Sequence, residues 1–197
     1  AYRHAAEENP DFGIFLGDYI YEYADTNPKR TRVRIHSGGK ECETLAEYRA
    51  RYAQYRLDPN LQFLHASVPA LVTWDDHDVQ NDYSGQWGQR FQDPKAFLAR
   101  RAAAYQAYYE AMPLRASALP SGSHMRLYRR LQFGNLIDLS VLDTRQWRSD
   151  QPCGDGSRTN CASRLAPTQT MMGAGQEKGL FDNLANGEAP WQVPGHQ

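Results

Sequence analysis

Two short apolar segments, each followed directly by acidic residues, decide the fold. Phe12-Gly-Ile-Phe-Leu16 runs into Gly17-Asp-Tyr-Ile-Tyr21, and Ala70-Leu-Val-Thr-Trp74 runs into Asp75-Asp-His-Asp78. Short continuous apolar runs are typical of strands that are buried on both faces of an α/β sheet. The acidic residues then lie at the carboxyl ends of two strands, where ligands bind in open α/β sheets. We therefore expect the two acidic turns to face one another at one edge of a sheet.

The remaining chain alternates helices and strands. Thr44-Leu-Ala-Glu47 is a capping box that predicts a helix to about residue 57, and Asp93-Pro94 begins another that ends near residue 112. Further helices are expected over residues 1–9, 59–69 and 176–186, a hairpin over 125–133 and 136–142, and a strand from residue 191. This order of elements predicts a layered α/β domain.

The bulk composition is that of an ordinary globular domain. Hydrophobic residues make up 41% and charged residues 23% of the 197 positions, and the formal net charge is -1. No basic excess points to a stable nucleic-acid partner, and no acidic block points to a solvating tail. No apolar run approaches the roughly 18 residues that a transmembrane helix needs.

The cysteines leave two readings open. Cys153 and Cys161 bracket a segment rich in Gly, Asp, Ser and Asn that could let them form a short disulfide, which would suit a periplasmic or secreted protein. Two free thiols are an equal alternative, and Cys42 would then be a spare thiol or pair elsewhere. No signal peptide is present. Because the chain does not begin with Met and ends within a predicted strand, we expect a piece of a longer polypeptide.

The first acidic turn is a candidate metal site. Gly17 permits a tight bend, Asp18 follows the strand, and Tyr21 comes three residues later. A carboxylate at that point can bridge two metal ions, and a phenolate is a hard anionic ligand that suits ferric iron. The alternative is an ordinary strand-to-loop turn with a solvated aspartate and packed tyrosines.

The second turn carries a stronger signal. Three carboxylates and a histidine within Asp75-Asp-His-Asp78 are costly to place together unless a positive charge neutralises them. A metal pair would do so, and oxygen and imidazole ligands suit Mg, Ca, Mn or Fe. Asn81 and Asp82 offer further oxygen ligands. The alternative is an acidic surface turn.

Together the turns resemble a known family. The pattern Gly-Asp-x-x-Tyr followed by x-Asp-His-Asp resembles the central motifs of calcineurin-like and purple-acid-phosphatase metallophosphoesterases. It is closer still to the PhoD-like alkaline phosphatases and the iron-containing phospholipases similar to them. The resemblance runs nearly end to end and is carried by Leu16-Gly-Asp-Tyr-Ile-Tyr-Glu-Tyr23, Thr73-Trp-Asp-Asp-His-Asp-Val-Gln-Asn-Asp-Tyr83, Leu142-Asp-Thr-Arg-Gln-Trp-Arg148, Gln151-Pro-Cys-Gly-Asp155 and Met172-Gly-Ala-Gly-Gln-Glu177.

The resemblance implies a fold and a set of metal ligands. The fold would be a layered metallophosphoesterase-like α/β sandwich with a mixed sheet. It would be incomplete here, because residues 1–197 would form part of a catalytic domain without its N-terminal and C-terminal parts. The cofactors would be Fe(3+) and Ca(2+) or another divalent metal. Asp18 would bridge the two ions, Tyr21 would bind the ferric ion, and Asp76 would bind the divalent ion, with Asn81 sharing that role.

The resemblance also implies residues that handle the substrate. His77 would contact the phosphate or protonate the leaving oxygen. Arg145 would grip two phosphate oxygens with its planar guanidinium. An equally good alternative for Arg145 is a structural role, paired with Asp143 or another acid.

The implied activity is that of an alkaline phosphatase D-like phosphoric ester hydrolase, acting on phosphate monoesters or diesters through metal-activated water. One alternative is a phospholipase D-like phosphodiesterase built on the same site. Another is a non-catalytic, calcium-stabilised binding domain, against which Tyr21 argues because tyrosine is not a usual calcium ligand. The upstream and downstream metal ligands of the family are not in this chain, so we expect the isolated chain to be inactive and the full-length protein to be the periplasmic or secreted enzyme.

Two other groups of residues have plainer readings. The tyrosines at positions 48, 52, 55, 105, 108 and 109 are expected to pack helices together. The basic segment over residues 29–34 is expected to be a solvated loop, although it could attract substrates rich in phosphate.

Overall fold

A computed structural model describes residues 1–24, 35–89, 93–154 and 156–197, so the basic segment 29–34 lies outside the described residues. The helices and strands follow one another along the chain as α1 (Tyr2–Glu7), β1 (Gly13–Leu16), α2 (Leu45–Tyr55), α3 (Pro59–Ser67), β2 (Ala70–Thr73), α4 (Pro94–Ala111), β3 (Arg129–Phe133), β4 (Ile137–Val141), α5 (Ala174–Asn186) and β5 (Trp191–Gly195). None of the described helices is both long enough and apolar enough to cross a membrane.

The strands form two small sheets. The first pairs β1 with β2 in parallel, with Leu16 opposite Thr73. Because parallel strands end at the same edge, this register brings the two acidic turns together as predicted. The second sheet has the order β3-β4-β5, in which β3 is antiparallel and β5 is parallel to β4. The mixed α/β class expected from the sequence is therefore confirmed.

The two sheets are joined at the end of β2. The Thr73 hydroxyl donates to the Leu142 carbonyl oxygen at 2.7 Å, and the Trp74 indole donates to a carboxylate oxygen of Asp143 at 2.9 Å. Arg129 on β3 also donates to the Val72 carbonyl oxygen at 3.0 Å. These bonds place the segment that follows β4 beside the acidic turn that follows β2.

An aromatic core lies beneath this edge. Trp74 stacks on Tyr105 of α4 with ring centroids 4.1 Å apart, and Tyr108 meets the same indole edge-on. Helix α2 packs on α4 and contributes Tyr48 and Tyr52 to the same buried cluster. The packing role predicted for these tyrosines is confirmed, and their large rigid rings pack around Trp74 at the end of β2.

The helix starts agree with the sequence, and one strand is shorter than predicted. Thr44 with Glu47 forms the capping box of α2, and the Asp93 side chain caps α4. The prediction of a strand over residues 125–133 is wrong in its first half, because β3 begins at Arg129. The Gln146 side chain satisfies both the backbone N–H and the carbonyl of Met125, so this stretch needs no strand partner there.

The cysteine alternatives are resolved. Cys153 and Cys161 form a disulfide, with Cα atoms 6.1 Å apart, and Cys42 is a buried free thiol.

The start of α2 yields a pH prediction. Hydrogen bonds from Lys40 and from the backbone N–H groups of Glu43 and Thr44 lower the pKa of Glu47 from 4.5 to about 2. A carboxylate whose pKa is lower in the folded state than in the unfolded state stabilises the fold at pH values above its unfolded-state pKa. This stabilisation is lost as the pH falls towards the folded-state pKa. We expect Glu47→Gln to lower the free energy of unfolding more at pH 7 than near pH 3, as measured by urea unfolding of the full-length protein.

The control is Glu43→Gln, which removes a neighbouring charge and leaves the capping box intact. An equal loss for Glu47→Gln at both pH values would contradict the assignment.

Candidate metal centre

The first acidic turn depends on close backbone approach. Gly17 has φ 106° and Asp18 has φ 50°, so the chain turns sharply after β1. A Cβ atom on Gly17 would lie 2.4 Å from the backbone nitrogen of Asp75. Only glycine both accepts this backbone angle and lets the two turns touch. Gly17 thus allows Asp18 to lie against the second turn.

The second turn is braced from within by Asp78. One carboxylate oxygen accepts the Asp75 N–H at 3.0 Å, and the other accepts the Tyr52 hydroxyl at 3.3 Å. Burial raises the pKa of Asp78 to about 7. Asp78 therefore shapes the loop, and its neighbours Asp76 and His77 are left to face the first turn.

Three side chains converge where the turns meet. Oxygen atoms of Asp18 and Asp76 and one ring nitrogen of His77 lie within 4.8 Å of one another. Within the described ranges, Asp18 Oδ1 is buried and has no hydrogen-bond partner. An unpartnered buried carboxylate oxygen is costly, and a cation would satisfy it. Carboxylate oxygens suit calcium, manganese or iron, so Asp18 and Asp76 fit a metal ion, with His77 beside it.

Tyr21 lies beside this cluster as its spacing predicts. Its hydroxyl donates to Asp18 Oδ2 at 2.9 Å, and its ring centroid is 4.2 Å from that of His77. Burial, followed by the hydrogen bond to Asp18, raises the pKa of Tyr21 above its ordinary value. A nearby cation would reverse this effect, because it favours the phenolate that iron binds.

His77 is held from behind by a buried glutamate. His77 Nδ1 lies 2.8 Å from Oε2 of Glu22, and the other oxygen of Glu22 accepts the Asn81 N–H at 2.7 Å. Burial lowers the pKa of His77, but Glu22, Asp76 and Asp18 outweigh it and raise the pKa above its ordinary value. The side-chain nitrogen of Asn81 donates to Asp82 at 2.8 Å.

Arg145 neutralises part of the acidic charge. Its Nε donates to Asp75 Oδ1 at 2.6 Å, and Nη2 lies 3.4 Å from Asp76 Oδ1. Burial raises the pKa of Asp75 to about 6 despite this partner. Burial also acts to raise the pKa of Asp76, but the Asp82 N–H and the charge of Arg145 help to lower it below its ordinary value. The guanidinium thus pairs with Asp75 and Asp76 rather than with Asp143.

Asp143 holds the backbone instead. Its Oδ1 accepts the Trp74 indole N–H and the backbone N–H groups of Arg145 and Gln146, at 2.9, 3.0 and 3.0 Å. The result is a fixed loop that presents Arg145 to the acidic turn.

Three residues that sequence reasoning left without a role belong to this neighbourhood. Glu22 is fully buried, Asp75 pairs with Arg145, and Arg148 is half-buried. Burial and the like charge of Arg145 lower the pKa of Arg148, while Asp75 and the other nearby acids act in the opposite direction. All three lie inside the quoted motifs, but nothing in the spacing distinguishes a supporting charge from a solvated one.

Comparisons with known proteins agree with this geometry. A family model described as PhoD-like phosphatase matches residues 1–197. Alkaline phosphatase D of Bacillus subtilis (strain 168) is 48% identical over 199 residues, which cover 100% of this chain and 34% of that protein. A solved structure, "Structure of PhoD", matches with a TM-score of 0.94 and 48% identity, covering 98% of this chain and 37% of that one. The chain thus spans about a third of the length of these relatives.

The contact between the two turns yields a stability prediction. We expect Gly17→Ala to lower the free energy of unfolding of the full-length protein by about 2–3 kcal/mol, since it adds both backbone strain and a clash with Asp75. Gly38→Ala is the matched control, because Gly38 has φ 96° and a Cβ atom added there would meet no heavy atom within 4 Å. Its expected cost is about 1 kcal/mol. Equal losses in urea unfolding would show that close approach of the turns contributes nothing.

Proposed function

The chain belongs to the PhoD-like phosphatase family, and on that premise we propose that the protein of which it is a part hydrolyses phosphate esters with bound metal ions. The proposal is carried by the convergence of Asp18, Asp76 and His77, together with the buried Asp18 Oδ1 that has no hydrogen-bond partner among the described residues. A buried acidic cluster with an unsatisfied oxygen is what a cation site requires. In a solvated surface turn, these oxygens would instead form hydrogen bonds with water.

The activity is proposed for the whole protein. Because the chain spans about a third of its relatives, residues 1–197 would supply one part of a longer catalytic domain. Other parts would complete the ligand set and the pocket wall.

The ligands divide between two ions in this proposal. Asp18 would bridge them, Tyr21 would bind Fe(3+), and Asp76 would bind Ca(2+) or another divalent metal with help from Asn81. Support comes from the Tyr21–Asp18 contact of 2.9 Å, which puts the phenol oxygen beside the bridging carboxylate. When bound, the metals supply positive charge that polarises the phosphoryl group and lowers the pKa of water towards neutrality.

The chain's own residues would orient the ester and handle its proton. His77 Nδ1 is held by Glu22, so Nε2 is the nitrogen left to contact the phosphate or to protonate the leaving oxygen. Arg145 would add positive charge while it pairs with Asp75 and Asp76. The substrate would be a phosphate ester, as the relative's name, alkaline phosphatase D, suggests, and we propose both monoesters and diesters.

The disulfide supports a place of action outside the cytoplasm. Bonds of this kind persist in oxidising compartments such as the periplasm or the exterior. The Cys153–Cys161 bridge is therefore consistent with a periplasmic or secreted enzyme.

Hydrolysis and chelation test the function together. We expect the full-length protein to release nitrophenol from 4-nitrophenyl phosphate or bis(4-nitrophenyl) phosphate, and a chelator to abolish the release because the acidic cluster alone cannot bind an anionic ester. Preference for the diester would favour a phospholipase D-like diesterase over a phosphomonoesterase. Full turnover after exhaustive chelation would contradict the metal-dependent mechanism, and no turnover with either ester would favour a non-catalytic domain.

A visible spectrum tests the iron assignment. We expect the full-length protein to show a tyrosinate-to-iron charge-transfer band that is lost in Tyr21→Phe. Tyr23→Phe is the matched control, because Tyr23 also lies beside His77, with ring centroids 4.9 Å apart. A band that survives in Tyr21→Phe would reject Tyr21 as the iron ligand, while chelator-sensitive hydrolysis without any band would retain the phosphoesterase and reject iron.

A further inference from the structure

Glu22 is a charged residue in a place where charge is costly. It follows the first acidic turn, its side chain is 0% exposed, and it is not among the ligands assigned to the metals. A buried carboxylate persists when hydrogen bonds replace the water that it has lost. The partners of Glu22 therefore indicate what it does.

Both oxygens of Glu22 lie within hydrogen-bond distance of the second acidic turn. Oε2 lies 2.8 Å from His77 Nδ1, and Oε1 accepts the backbone N–H of Asn81 at 2.7 Å. We assign the proton of the Glu22–His77 contact to Nδ1, with the carboxylate as its acceptor. This contact fixes both the ring orientation and which nitrogen remains for chemistry, namely Nε2.

We propose that Glu22 is the positioning residue for His77, holding Nδ1–H so that Nε2 alone serves the phosphate ester. The proposal rests on the proposed phosphoesterase function and assigns a residue to its proton handling or phosphate contact. The hydrogen bond to Asn81 suggests a competing role. In that role Glu22 would stabilise the second acidic turn, as a brace, independently of His77. The two roles predict different couplings between residues.

The isosteric change Glu22→Gln separates these roles. A glutamine offers one acceptor and one NH₂ group, so it cannot accept from both His77 and Asn81. Either the Asn81 N–H loses its acceptor or the amide donates to Nδ1, which moves the ring proton to Nε2. Loss of such a supporting contact typically lowers activity by about 10- to 100-fold.

The test is a double-mutant cycle in the full-length metal-loaded protein, with Glu22→Gln, His77→Gln and the double variant assayed on 4-nitrophenyl phosphate and on an alkyl phosphate. We expect Glu22→Gln to lower kcat by about 10- to 100-fold in the wild-type background and to have little further effect once His77 is replaced. The alkyl leaving group needs a proton more than the nitrophenyl group does. If His77→Gln lowers kcat more on the alkyl phosphate than on 4-nitrophenyl phosphate, we expect Glu22→Gln to do the same.

Equal fold losses from Glu22→Gln in both backgrounds, with the wild type active, would overturn the positioning role and leave Glu22 as a brace of the turn. No turnover by the metal-loaded wild type would instead overturn the proposed function, so the two failures are distinguishable. Asp138→Asn is the control for loss of a buried carboxylate, because Asp138 pairs with Arg130 on the second sheet. If Glu22→Gln does not fold, Glu22→Asp repeats the cycle with the charge kept and the reach shortened.

Discussion

The burial of negative charge at the paired ends of β1 and β2 is the constraint on which the structure depends. The parallel register of these strands brings their two turns together, and the strand ends are held there by the aromatic core below. Carboxylates so placed repel one another and have lost much of their hydration, so each needs a compensating partner. The acidic side chains that share this edge are Asp18, Glu22, Asp75, Asp76 and Asp78.

The surrounding elements supply partners for nearly all of that charge. Arg145 reaches Asp75 from the segment that follows β4, Tyr52 of α2 donates to Asp78, and His77 bonds to Glu22. Asp18 Oδ1 is the exception, because no group in the described parts of the chain forms a hydrogen bond with it. This one open oxygen is the basis of the cation site that we propose, and the chain belongs to the PhoD-like phosphatase family.

Local signals in the sequence predicted the frame of this site well. Apolar runs ending in acidic residues gave the two strands and their common edge, and the side chains of Thr44 and Asp93 gave two helix starts. These features depend on neighbours a few residues apart, so a single sequence contains them. The resemblance to a family added roles for Asp18, Tyr21, Asp76, His77, Asn81 and Arg145, and all of these roles stay predictions.

The supporting contacts were beyond prediction for a physical reason. Glu22 and His77 are 55 positions apart, and Arg145 and Asp75 are 70 apart, so only tertiary packing determines that they meet. The shortened β3 has the same origin, since a distant glutamine side chain satisfies the backbone of Met125. Patterns of charge reveal which residues could bind a metal, whereas the residues that orient them become evident only from the folded chain.

Metal content tests the central claim most directly. We would measure bound metal by elemental analysis in the full-length protein, in Asp18→Asn, and in Asp11→Asn, which removes an exposed carboxylate just before β1. The account predicts that the wild type and Asp11→Asn retain metal and that Asp18→Asn loses most of it, because the neutral amide is a poor bridging ligand. Equal metal content in all three proteins would contradict the assignment of this acidic edge as the metal centre.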